Sequence, residues 1–151
     1  MRDCTQFYID GQWVDPVEEN TVAVENPATE QTIGHISFGT AADVDKAVVA
    51  ARRAFEGFSQ TSKEERLTLL RAIQAEIETR KEELATAVSD EMGAPLSLAN
   101  GPHVGLLAGH CQKAIEVLEG FAFERLDGPT LHVWEPVGVV GMITPWNWPL
   151  N

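Results

Sequence analysis

At 151 residues the chain is about one average domain, long enough to bury a core, and its 44% hydrophobic and 23% charged residues are ordinary for a globular protein. Its 23 acidic residues against 11 basic ones, a formal net charge of −12, argue against a nucleic-acid or anionic-membrane partner, because both are held by clustered Lys and Arg. The carboxylates lie on amphipathic stretches such as Lys81-Glu82-Glu83 and read as a solvated face. The first twenty residues carry Arg2, Asp3, Asp10, Asp15, Glu18 and Glu19, so they contain no secretory apolar stretch. No run approaches the roughly 18 apolar residues that span a bilayer. The expected location is therefore cytoplasmic, with Cys4 and Cys111 as reduced thiols.

The opening forty residues read as β structure. Phe7-Tyr8-Ile9 and Gln12-Trp13-Val14 flank Asp10-Gly11, a pair that tolerates the positive φ of a type I′ hairpin turn. Thr21-Val22-Ala23-Val24 and Thr32-Ile33-Gly34-His35-Ile36 form a second pair around the turn residues Asn26-Pro27-Ala28-Thr29. A first helix starts at Thr40 with Asp43 in the place of a capping-box glutamate. Its apolar stripe is Val44, Ala47, Val48, Ala51, Phe55 and Phe58. The Ser62/Glu65 capping box opens a second helix whose stripe runs from Leu67 to Val88 and stops at Gly93-Ala94-Pro95; as one rod it would be roughly 45 Å long. A third helix is predicted over 102–120, with Val104, Leu107, Ala108, Cys111, Ile115 and Leu118 on one face. Gly105 and Gly109 weaken its beginning.

Strand character then returns. Thr130-Leu131-His132-Val133-Trp134 alternates, as a half-exposed strand does. Val137-Gly138-Val139-Val140-Gly141-Met142-Ile143 is continuously apolar, as a parallel strand buried on both faces should be. Such a strand without a crossover helix and a parallel partner is half a unit, so the chain reads as a fragment. Ligands of open α/β sheets bind beyond the carboxyl ends of strands, where Thr144-Pro145-Trp146-Asn147-Trp148-Pro149 falls. Two prolines stiffen this loop and give Asn147, an uncharged N–H donor suited to a developing oxyanion, a defined direction. Read from the residues alone, the loop is either such a hydrogen-bonding site or a tight aromatic turn whose Asn caps a helix.

The stretch 135–149 resembles the signature of the aldehyde dehydrogenase superfamily around its first nucleotide-binding strand. The upstream landmarks follow in order: Tyr8-Ile9-Asp10-Gly11-Gln12-Trp13, Asn26-Pro27-Ala28-Thr29, Asp43-Val44-Asp45 with Ala47 and Ala50-Ala51, Phe55, Arg66, Glu91-Met92-Gly93 and Pro95. The resemblance covers essentially the whole chain. Trp148 departs from the commoner Phe or Tyr. What it implies is an α/β fold in which N-terminal β hairpins and helices (1–125) and the start of an oligomerisation hairpin (126–136) precede an incomplete Rossmann-like parallel sheet (137–151), with the catalytic domain absent from the chain.

The implied activity is oxidation of an aldehyde to a carboxylic acid with NAD or NADP through a cysteine thiohemiacetal, in a homodimer or homotetramer. Asn147 resembles the oxyanion-hole asparagine, and Ile143, Thr144, Pro145, Trp146 and Asn147 resemble the segment lining the cofactor. Trp148, Gly105 and Gly109 border the implied substrate tunnel; the two glycines either widen it for a bulky aldehyde or ease helix entry and packing. The family's nucleophilic cysteine and general-base glutamate are expected beyond residue 151, and neither Cys4, which precedes the first predicted strand, nor Cys111, on an apolar helix face, replaces the nucleophile. His35, His103, His110 and His132 have no metal-ligand spacing, so no metal site is expected. Positions resembling a monovalent-cation site in some relatives are Val24, Glu25 and Glu91, although an exposed carboxylate near a helix end accounts for Glu91 as well. The competing class is a degenerate relative retained as a binding or assembly module. An ordinary dinucleotide-binding domain fails, because no Gly-x-Gly-x-x-Gly loop follows a predicted strand.

Overall fold

The computed structural model describes residues 2–151, the side chain of Arg2 excepted. Three strands form a mixed sheet: β1 (Arg2–Cys4) pairs in parallel with β5 (Gln31–Ser37), which pairs antiparallel with β4 (Thr21–Asn26). Cys4 thus belongs to a strand instead of preceding the first one. That pairing joins residues about thirty positions apart, which a local reading of three residues does not reveal. The hairpin of β2 (Phe7–Ile9) and β3 (Gln12–Val14) forms with the expected register, and Asp10 and Gly11 take φ of 56° and 77°. The second turn is tied by Asn26, whose Oδ1 accepts from the N–H groups of Ala28 and Thr29.

Helix α1 (Ala41–Phe58) begins at Thr40. Asp43 is only 5% exposed and accepts from the Thr40 N–H at 2.9 Å and from the Val17 N–H at 2.9 Å, so one carboxylate caps the helix and clamps the preceding loop to it. The Thr40 N–H chiefly holds its carboxyl below the ordinary value of 3.8, partly opposed by desolvation; the Val17 N–H, the Thr40 hydroxyl and Lys46 pull the same way. A folded-state pKa below the unfolded one gives stability that is complete above the unfolded value and lost as pH falls through the folded one. Asp43→Asn is therefore expected to unfold at lower urea than the parent at neutral pH. The two proteins should converge in acid, below about pH 4; a gap that stayed constant with pH would remove Asp43 from this role. Of the predicted stripe, Ala47, Val48, Ala51 and Phe55 are half-buried, whereas Val44 and Phe58 stay exposed.

The rod expected over 62–92 is two helices, α2 (Lys63–Thr79) and α3 (Lys81–Met92), separated at Arg80, whose φ of −106° and ψ of 14° leave the helical region. Neither Gly nor Pro marks the break. It follows from docking: α2 packs along the later helix α5 (Val104–Gly120), while α3 packs on β4 and on the residues before α5. Thr79 Oγ1 back-bonds to Ala75 O at 2.9 Å, a contact that often bends helices, and Arg80, at the break, pairs its Nε and Nη2 with the two carboxylate oxygens of Glu83 in α3.

The segment before α5 is likewise not plain α-helix. A single turn, α4 (Leu96–Leu98), runs into a π-helical turn (Ala99–His103) that contains Pro102. Proline has no N–H for the α ladder and clashes with the carbonyl four residues back; the wider turn relieves both constraints. One core is assembled here from Ala85 and Val88 of α3, Ala94, Ala99 and Val104, with Leu150 packed against it.

The last hairpin pairs β6 (Glu124–Asp127) with β7 (Thr130–Val133) across Gly128, whose φ is 58°. It starts two residues before the predicted boundary at Leu126. Its side chains are exposed; Trp134 lies edge-on to Phe121, which lies edge-on to Phe123, and the Arg66 guanidinium sits over the Phe123 ring. Residues 137–143 follow the hairpin. These residues belong to no sheet among the described residues, and Val137, Met142 and Ile143 are 91%, 87% and 100% exposed. A parallel strand is buried by strands at its edges and helices on its faces, and no described element takes those places. No helix is long and apolar enough to cross a membrane among the described residues.

Candidate active-site segment

Residues 143–151 present two different surfaces. Ile143, Thr144, Pro145, Trp146 and Asn147 are exposed, Trp146 at 85%. Trp148 and Leu150 turn inward and are half-buried. Leu150 meets the core of α3 and the π turn, and the Asn151 N–H donates to Trp148 O at 3.0 Å, closing the loop on itself. The loop therefore sits against the helical layer while Asn147 projects from it. An open cleft of about 470 Å³ between the loop and α3 is lined by Pro27, Leu84, Val88, Met92, Trp146 and Leu150.

Trp148 is half-buried. Its ring stacks on His103 with centroids 4.3 Å apart and planes inclined by 26°. His103 is 2% exposed, and its Nδ1 has no hydrogen-bond partner among the described residues. A buried donor or acceptor left unpaired costs on the order of 1–3 kcal/mol, and the face of this ring is held by the stack on Trp148. Histidine spacing does not single out His103. The signal available in the sequence was helical spacing: His103 lies four residues after Ala99 and four before Leu107, in line with the apolar stripe.

Gly105 and Gly109 lie on α5, one turn apart. A Cβ added at either position meets nothing within 4 Å, so no described neighbour demands a glycine for close packing there. Cys111 is half-buried and its thiol donates to Leu70 O at 3.5 Å, while Cys4 is exposed; both are free, and neither adjoins Asn147 in the core or in the stacking contacts. Val24 and Glu91 line one open cleft of about 730 Å³ with Asp90, but no three His, Cys, Asp or Glu side chains among the described residues come together as a metal-binding group.

The loop presents an exposed amide, and the extended segment before it has no sheet partner among the described residues. Residues 13–151 match the aldehyde dehydrogenase family, and the chain belongs to that family. A 3-succinoylsemialdehyde-pyridine dehydrogenase from Pseudomonas sp. is 51% identical over all of this chain, which spans 32% of that protein. In the solved structure of an aldehyde dehydrogenase C mutant from Pseudomonas syringae, complexed with NAD+ and octanal, 30% of the chain matches 97% of this one at 48% identity and a TM-score of 0.95. A Mycobacterium tuberculosis aldehyde dehydrogenase complexed with NAD+ matches 98% of the chain at 28% identity and a TM-score of 0.92, again over 32% of its own length. The chain thus spans about a third of the relatives it matches.

Proposed function

We propose that residues 1–151 are the part of an NAD(P)-dependent aldehyde dehydrogenase that supplies its oxyanion donor and one wall of its cofactor site. The observation that carries this reading is the pairing of an exposed Asn147 with an inward-facing, stacked Trp148: the amide is presented on a loop that is fixed from behind. When a cysteine thiolate adds to an aldehyde, the carbonyl oxygen becomes negative. The Asn147 Nδ2–H is an uncharged donor that meets this charge without exchanging a proton. The nucleophile and the general base belong to a part of the enzyme other than residues 1–151, so the isolated chain is expected to oxidise no aldehyde. When bound, NAD(P)+ supplies the hydride acceptor. Ile143, Thr144, Pro145 and Trp146 fit the lining of its site, because side chains this exposed on a stiff, unpaired backbone are available to an adjacent ligand.

The open space beside Gly105 and Gly109 supports their reading as a widened stretch of the aldehyde tunnel. The exposed hairpin of β6 and β7, with Leu126 and Leu131 directly opposed, is the surface for assembly into a homodimer or homotetramer, and the compartment is cytoplasmic. The test is an assay of the complete enzyme carrying this segment, with NAD+ and NADP+ and aldehydes of increasing bulk, followed by nicotinamide absorbance and acid product. Aldehyde oxidation is expected. The Gly105→Leu/Gly109→Leu variant should raise KM for bulky aldehydes far more than for acetaldehyde. Absence of aldehyde oxidation would overturn the function, and an unchanged preference would remove the glycines from the tunnel.

A further inference from the structure

We propose that His103 is a positioning residue for the oxyanion donor: its ring fixes Trp148, and Trp148 fixes the direction of the Asn147 amide. The proposal rests on the reading of Asn147 given above. Three observations converge on it. His103 is 2% exposed, its Nδ1 has no partner among the described residues, and its ring face is laid on Trp148. It stands in the π turn, a backbone form frequent at functional sites, and the next residue, Val104, is in the core. The imidazole is therefore mounted on a rigid base.

Trp148 and Leu150 are docked on the C-terminal side of Asn147. Pro149 narrows the backbone freedom of Trp148, so the stacked ring and the docked Leu150 together hold the chain next to Asn147. A shift of about 1 Å at a reacting centre lowers rate by around 10²-fold, so loss of the stack has a kinetic effect without any direct contact between His103 and substrate.

The test uses the complete dehydrogenase carrying this segment. His103→Leu is expected to lower kcat about 10- to 100-fold, with the dissociation constant for NAD(P)+ unchanged. His103→Phe, which keeps a flat ring, should restore most of the loss. His103→Leu combined with Asn147→Ala should be no slower than Asn147→Ala alone, because the first residue acts through the second. A merely structural role predicts the reverse pattern: a lower Tm, kcat per folded enzyme unchanged, and multiplying losses in any double variant. Either that pattern or a failure of Phe to rescue overturns the proposal. If His103→Leu does not fold, Trp148→Leu removes the same stack from the loop side, and a kcat equal to the parent's overturns the proposal. An unimpaired Asn147→Ala enzyme overturns the reading of Asn147 itself and this proposal with it; an impaired Asn147→Ala beside an unimpaired His103→Leu overturns only the positioning.

Discussion

Replacing Asn147 by alanine in the complete enzyme is expected to lower kcat by ~10²–10³, the size of one oxyanion donor. The loss should fall on kcat more than on KM, since the amide meets charge that exists only as the nucleophile adds. Asn147→Asp should be at least as damaging, because it removes the donor and places a negative charge where another develops. Asn147→Gln keeps the amide but moves it by one methylene, and should retain only part of the rate. Steady-state and single-turnover kinetics on an aldehyde for which chemistry limits turnover provide the measurement. An unchanged kcat there would remove Asn147 from the mechanism, whatever the family resemblance.

The second large effect is on stability, at Gly93. This residue closes α3 in the left-handed region, φ 77° and ψ 17°, with its N–H donating to Ser89 O at 3.0 Å. A Cβ there would stand 2.7 Å from Pro27 Cγ, in the turn between β4 and β5. Asn26 Nδ2 also donates to Asp90 Oδ1 at 3.5 Å, so the end of α3 and the hairpin turn are joined twice. Gly93→Ala combines a left-handed penalty of about 1–2 kcal/mol with an overpacking penalty of about 1–3 kcal/mol. The expected destabilisation is about 2–5 kcal/mol, a fall in Tm of roughly 4–20 °C for a chain of this size. Adding Pro27→Ala should recover the packing share and leave the backbone share. Equal urea midpoints for Gly93→Ala and the parent would refute the interlock.

Much of the fold was legible because its causes are local. Asp10-Gly11 sets the first turn, Asn26 ties the second with its own side chain, and the Ser62/Glu65 box opens α2 through a reciprocal pair, Glu65 N–H to Ser62 Oγ at 3.2 Å and Ser62 N–H to Glu65 Oε2 at 2.7 Å. The errors lie where non-local contacts decide. Thr79-Arg80 carries no stop signal, yet the helix breaks there because its two halves serve different partners. Pro102 was read as a helix start and instead lies inside a π turn, since Ala99 and His103 on either side of it are both buried.

The candidate site divides in the same way. The sequence by itself determined that Asn147 is an amide held between two prolines, because Pro restricts both its own backbone and that of the residue before it. It also determined the family, through landmarks that recur in fixed order. Only the tertiary structure decided that Trp148 faces inward onto His103, that Gly105 and Gly109 border open space, and that Asp43 reaches back to Val17 as well as capping its own helix. Hydrogen bonds and turns between near neighbours are written in a few residues. Which ring lies on which, across 45 positions of chain, is settled only when the whole core is packed.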